Sequence, residues 1–187
     1  MMSSLTENEL GQLIRKSDNS AFRELYSRLY KPLYFFIFTR LKDDELSKDL
    51  LQDVFLKFWN NRDTLVPEKS IKSLLYTISN NLIIDQTRKS SSSNLRLTDL
   101  NETEEIEDKS DSESGNEDIT DKIRSIIERQ PESIKAVYIL SKVEGYKNAE
   151  IGQILNISVK TVEARMTKLL KELRDKLISE KDRVSKS

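Results

Sequence analysis

Residues 145–173, GYKNAEIGQILNISVKTVEARMTKLLKEL, hold two amphipathic segments separated by a short polar break. Ala149 to Leu155 carries apolar residues at helical spacing and predicts a first helix. Asn156 suits the left-handed conformation that ends a helix, and Ser158 can cap the next one. From there Val162, Met166, Leu169, Leu173 and Leu177 follow steps of four, three, four and four, which predicts one buried stripe along a second, longer helix. Lys160, Thr161, Ala164, Arg165, Lys168 and Lys171 lie off that stripe and form a basic outer face. Gly152 supplies the small side chain that two steeply crossing helices need where their backbones approach. The pattern predicts a helix-turn-helix whose second helix enters a DNA major groove. An ordinary helical hairpin with a solvated charged face fits the same residues.

Outward from this motif, composition narrows the chemistry. The chain has 187 residues, 36% hydrophobic and 34% charged, enough for one domain or two small ones with modest cores. Only four Gly and three Pro interrupt it, which favours helices. There is no Cys and no His, so thiolate chemistry, disulfides, zinc ribbons and the commonest general base are excluded. A Gly-rich phosphate loop is also missing. No catalytic residue, cofactor, metal site or small-molecule ligand is therefore expected. No apolar run approaches the roughly 20 residues that span a bilayer, and MMSSLTENEL lacks the basic and apolar parts of a signal peptide. A cytoplasmic protein is expected.

The net charge of −1 conceals a partition. Residues 1–89 hold 14 Lys+Arg against 12 Asp+Glu, residues 90–118 hold 2 against 10, and residues 119–187 hold 15 against 10. A basic terminal part is what phosphate contacts require. The acidic, Ser-rich middle cannot bury enough apolar surface to offset its ordering entropy, so it reads as a flexible linker. The expected organisation is all-α: a helical bundle over 1–89, an acidic linker over 90–118, and a helix-turn-helix domain over 119–187.

Within the bundle, Thr6 with Glu9 forms a capping box for a helix to about Lys16. Asp18 or Asn19 caps a second helix with Phe22, Leu25, Tyr26 and Leu29 on one face. Pro32 is expected to interrupt or restart the helix before an aromatic segment, Leu33 to Leu41. Asp43 or Asp44 caps a helix from Glu45 to about Asn60, and Asn61 to Pro67 reads as a loop. A last helix from about Glu68 to Lys89 has Ile71, Leu74, Leu75, Ile78, Leu82 and Ile83 as its core face. Four or five such helices pack naturally as a bundle.

Two surfaces of this bundle carry chemistry. On the helix after Asp43, Leu46, Leu50, Val54 and Phe58 form the inner stripe, while Asp49, Gln52, Asp53 and Leu56 share another side. An acidic rim around an apolar patch suits docking to a basic partner helix, though a solvated face fits as well. On the last helix, Lys69, Lys72, Tyr76, Asn80, Asn81, Arg88 and Lys89 lie outside the expected apolar stripe. Cations that hold phosphates and a ring that stacks on bases suit melted nucleic acid, and a plain polar face fits too.

The order of these parts resembles the extracytoplasmic-function sigma factors of the sigma-70 family. The resemblance rests on Ala21-Phe22-Arg23-Glu24-Leu25-Tyr26, Asp49 to Trp59, Leu75 to Asp85, Pro131, and Gly145 to Leu173. It implies a factor without catalysis that binds core RNA polymerase and directs promoter recognition, melting and initiation. By resemblance, Asp49, Gln52, Asp53 and Leu56 dock on the polymerase, through the β′ coiled coil with β nearby. Asn61, Arg62, Lys69, Lys72, Tyr76, Asn80, Asn81, Arg88 and Lys89 hold the melted strand of the −10 element, with Asp85 orienting its neighbours. Lys160, Thr161, Glu163, Ala164, Arg165, Lys168 and Lys171 read the −35 element, Arg165 foremost. The resemblance also implies an anti-sigma partner and a linker threading through the polymerase, where its acidic charge would imitate nucleic acid. Departures stand at Leu74, often Trp in the family, at Asn80, often Arg, and at Glu163, often Arg or Lys. An operator-binding regulator and a helix-sequestering interaction protein are the alternative classes.

Overall fold

The computed structural model describes residues 4–66, 70–94 and 119–184, and among these every regular element is helical. Helix α1, Glu7–Arg15, begins at the expected capping box. The Glu9 N–H donates to Thr6 Oγ1 at 3.3 Å, and the Thr6 N–H donates to the Glu9 carboxylate at 2.7 Å. Helix α2, Asn19–Leu41, starts at Asp18, whose carboxylate accepts from the Ser20 and Ala21 N–H groups.

Pro32 does not interrupt α2, contrary to expectation, and the aromatic segment continues the same helix. The buried stripe Leu25, Leu29, Leu33, Phe36 and Ile37 runs in register through it. A mid-helix proline costs about 3 kcal/mol. Burying Leu33, Phe36 and Ile37 completely returns roughly 1.5–3 kcal/mol each, so continuation wins. The helix ends at Lys42 in the left-handed region (φ 56°), with its N–H on the Phe38 carbonyl.

Helix α3, Asp44–Asn60, is capped by Asp43, which accepts from the Leu46 N–H at 3.0 Å. It buries Leu50, Leu51, Val54, Phe55 and Phe58, a broader face than the expected stripe, while Leu46 is only half-buried. A short 3-10 turn, Arg62–Thr64, follows. Helix α4, Ile71–Asn94, passes beyond the expected limit at Lys89 into the segment read as linker. Residues 95–118 lie outside the described residues.

The expected core face of α4 requires correction. Ile71, Leu75 and Ile83 are buried and Ile78 and Leu82 half-buried, but Leu74 is exposed. Tyr76 and Asn80, expected to project outward, are buried. The cause is tertiary: α2 and α3 pack on one side of α4, and a helix of the C-terminal half covers another.

That half consists of α5 (Ile119–Glu128), α6 (Glu132–Tyr138), a π-helical turn (Ile139–Val143), α7 (Asn148–Leu155) and α8 (Val159–Val184). The π turn and Gly145 (φ 76°) swing the chain back, with the Tyr146 N–H bonded to the Leu140 carbonyl at 2.9 Å. Helix α7 packs on α4 and α6 on α2, so Ala136, Val137, Ile151, Ile154 and Val162 join the N-terminal apolar residues in one continuous cluster. Two helical halves were expected, but not this mutual packing. No helix among the described residues is long and apolar enough to cross a membrane.

Asn156 ends α7 in the left-handed region, φ 54° and ψ 47°. Asn156→Val should cost about 1–2 kcal/mol, because a β-branched side chain collides with the carbonyl there, whereas Asn156→Gly should be nearly neutral. Urea midpoints of the two variants check this difference.

Candidate nucleic-acid interface

The helix-turn-helix is held by backbone and cap chemistry. The Ile157 N–H donates to the Gly152 carbonyl at 2.9 Å, closing the turn. Ser158 Oγ accepts from the Thr161 N–H at 3.0 Å and lies 2.7 Å from the Thr161 hydroxyl. Before α7, the Lys147 N–H donates to the Glu150 carboxylate at 2.8 Å. Val162 and Leu169 anchor α8 in the core with Met166 beside them. Lys160, Glu163, Ala164, Lys168 and Lys171 are exposed together on the outer side. Thr161 and Arg165 are half-buried, Thr161 completing the cap and Arg165 reaching the Ser133 carbonyl at 3.4 Å. Of the seven residues assigned to upstream DNA, these two thus also serve the fold.

On α3, Asp49, Gln52, Asp53 and Leu56 are all exposed on the side opposite the buried stripe, Leu56 to 49%. They form one outward face with carboxylates beside an unpaired aliphatic side chain. Its base is rigid: Phe55 lies 4.5 Å from the Tyr26 ring and 6.2 Å from Phe22, centroid to centroid.

The candidates for the melted strand are not brought together on an open surface. Asn61 ends α3 and bonds its amide to the Lys57 carbonyl at 2.8 Å. Arg62 lies 4.6 Å over the Trp59 ring and donates to Ser17 Oγ and the Trp59 carbonyl, so it ties the loop down. Asn81, Arg88 and Lys89 are exposed along α4, and Lys69 lies outside the described residues. Lys72 pairs with Glu144 of the C-terminal half at 2.8 Å and stands 5.6 Å from the Tyr146 ring. Tyr76 sits edge-on between Phe36 (5.1 Å) and Tyr146 (5.9 Å). Burial, reinforced by nearby Glu144, pushes the Tyr76 phenol upward, and burial pushes Tyr146 up to about 12. Asn80 Oδ1 accepts from Arg40 Nη1 at 2.6 Å.

Arg40 escaped the sequence reading. It projects from the aromatic part of α2 into the junction of both halves, where burial lowers its pKa, Glu132 opposes that shift and Arg165 adds to it. A lone cation in an apolar run gives no signal of where it points, and nothing local marks Glu144 and Tyr146 as neighbours of Lys72 and Tyr76.

Residues 25–93 match sigma-70 region 2 and residues 120–173 match sigma-70 region 4, so both parts of a two-part sigma factor occur in order. The RNA polymerase sigma factor SigZ of Bacillus subtilis is 30% identical over 143 residues, 76% of this chain and 79% of SigZ. The ECF RNA polymerase sigma factor SigX of the same organism is 27% identical over 177 residues, 88% of this chain and 91% of SigX. CnrH, solved in complex with the cytosolic domain of CnrY, shares the fold with a TM-score of 0.64 at 19% identity, covering 92% of this chain and 97% of CnrH. The sigma factor RpoE, solved with the anti-sigma factor NepR from Bartonella quintana, gives 0.63 at 18% identity, covering 83% and 96%. The chain belongs to the sigma-70 family of RNA polymerase sigma factors, in its extracytoplasmic-function group.

Proposed function

We propose that this chain acts in the cytoplasm as a non-catalytic subunit that docks on core RNA polymerase and directs promoter recognition, melting and initiation at a particular set of promoters. The observation that carries this reading is the succession of sigma-70 regions 2 and 4 in one chain, the second ending in a helix-turn-helix with an exposed basic side. In this reading the acidic-apolar face of α3 meets the polymerase, and the polar residues of α4 hold the melted −10 strand. The outer side of α8 reads the −35 element. Each half alone binds DNA weakly, and joining them through polymerase makes the second contact effectively intramolecular. Control by an anti-sigma protein is part of the proposal, supported by the fold shared with RpoE, which was solved with one.

Transcription in vitro with core polymerase over fragmented genomic DNA, mapping starts that depend on this chain, tests the reading. Dependent starts at sites sharing two spaced elements are expected. DNA binding without core polymerase and no dependent start would instead support an operator-binding regulator. Asp53→Lys reverses an exposed charge on the docking face and should weaken core affinity about tenfold, near 1.4 kcal/mol. Unchanged affinity in a core-binding titration would remove the docking assignment.

A further inference from the structure

Helix α8 turns two unlike flanks outward. Val162 and Leu169 are at most 1% exposed and fix its rotation. Lys160, Ala164, Thr167 and Lys171, at spacings of four, three and four, therefore face directly away from the core, and all four are exposed. Lys168 flanks this line on one side, with Arg165 beyond it, turned back to the Ser133 carbonyl. Glu163 flanks it on the other side, exposed and one turn into the helix. Among the described residues, Glu163 and Thr167 make no side-chain hydrogen bond or ion pair. Val162, directly before Glu163, is fully buried, and Ser158 caps the same turn. The carboxylate thus stands on a rigid base.

A lone carboxylate on a face that approaches phosphates repels them while the neighbouring lysines attract. In a groove it also loses hydration, a loss that only a hydrogen-bond donor offsets. The major groove offers two such donors, the amino groups of cytosine and adenine. Adenine sets its amino group beside N7, an acceptor that repels a carboxylate, whereas cytosine has no acceptor on that edge. The polar groups of guanine and thymine there are acceptors only. Arg165, already bonded within the fold, does not compete for this role. We propose that Glu163 is the specificity-determining residue of α8, selecting cytosine at one position of the upstream element. Lys160, Lys168 and Lys171 supply phosphate contacts common to all sequences. This deepens the function proposed above for α8 and rests on it.

Holoenzyme reconstituted with the parent chain or a variant is bound to promoter fragments whose upstream element is randomised, and the bound fraction is sequenced. The parent chain should enrich cytosine about tenfold over the other bases at one position, within the range that a single base contact supports. Glu163→Ala should level that position and leave the others as they were. Glu163→Gln, whose amide both donates and accepts, should move the preference there from cytosine to adenine. Lys171→Ala should instead weaken binding to every sequence alike and flatten its salt dependence. Because Glu163 is exposed, urea midpoints of both its variants should match the parent.

Loss of one position's preference in Glu163→Ala, with its transfer to adenine in Glu163→Gln, supports the proposal. An unchanged base profile in Glu163→Ala overturns it. A uniform gain in affinity for all sequences also overturns it, because Glu163 then only repels phosphates. A parent chain without preference at any upstream position removes the assignment of α8 itself, and this proposal with it. Preferences that persist while none depends on residue 163 remove this proposal alone.

Discussion

Gly152→Val is expected to destabilise the C-terminal helix-turn-helix by about 3 kcal/mol or more and to abolish upstream DNA contacts by the holoenzyme. A Cβ at residue 152 would stand 2.9 Å from the Ile157 carbonyl oxygen. That oxygen belongs to the turn between left-handed Asn156 and the cap Ser158, and the Ile157 N–H is bonded to the Gly152 carbonyl. Neither group can retreat without breaking the turn. The gain in helix propensity on replacing glycine is only about 0.5 kcal/mol, so the clash decides the sign. Gly11 makes the contrast: a Cβ there meets the end of the Ile71 side chain, which can rotate away. Urea unfolding should show the loss for Gly152→Val. Footprinting of reconstituted holoenzyme should show protection lost upstream, and an unchanged midpoint with intact upstream protection would refute the assignment.

Phe58→Ala is expected to cost about 3–5 kcal/mol, a large share of the roughly 5–15 kcal/mol that holds a typical domain folded. Phe58 is 1% exposed and stacks near-parallel on Phe22 at 6.5 Å, and Phe22 in turn meets Phe55 and Trp59. Removing that ring unseats α3 from α2, and with it the geometry shared by Asp49, Gln52, Asp53 and Leu56. Both stability and core-polymerase affinity should fall. Leu56→Ala separates structure from contact: its side chain is half exposed, so stability should stay within about 0.5 kcal/mol while core affinity drops. Thermal or urea melts beside a core-binding titration distinguish the two patterns.

The caps at Thr6 and Ser158 and the left-handed Asn156 were legible, and those at Asp18 and Asp43 to within one residue, because each depends on a few adjacent residues and their hydrogen-bonding groups. The same holds for the outward set on α3, which follows from helical spacing beside an apolar stripe. Pro32 was misread because the decision lay in how deeply Leu33, Phe36 and Ile37 are buried, which a local proline rule does not contain. Gly152 was legible as a close approach, but its neighbour is the backbone of the turn and not the crossing helix. The helices between Ile119 and Val143 left only Pro131 as a marker, since their apolar runs are short and α6 has no side-chain cap.

Local chain chemistry was thus enough to establish an all-helical protein with a helix-turn-helix at its end, because periodicity and caps are properties of neighbours in sequence. It was not enough to say which half-apolar side of α4 is covered. Tyr76 and Asn80 carry polar tips on bodies that can be buried, and their fate depends on whether a distant segment packs on them. Folding brings Glu144 and Tyr146 to that side, and Lys72 finds its counter-charge there. A contact between residues far apart in the chain leaves no periodic trace in either segment, so only the packed helices reveal that this side of α4 is covered by the C-terminal half.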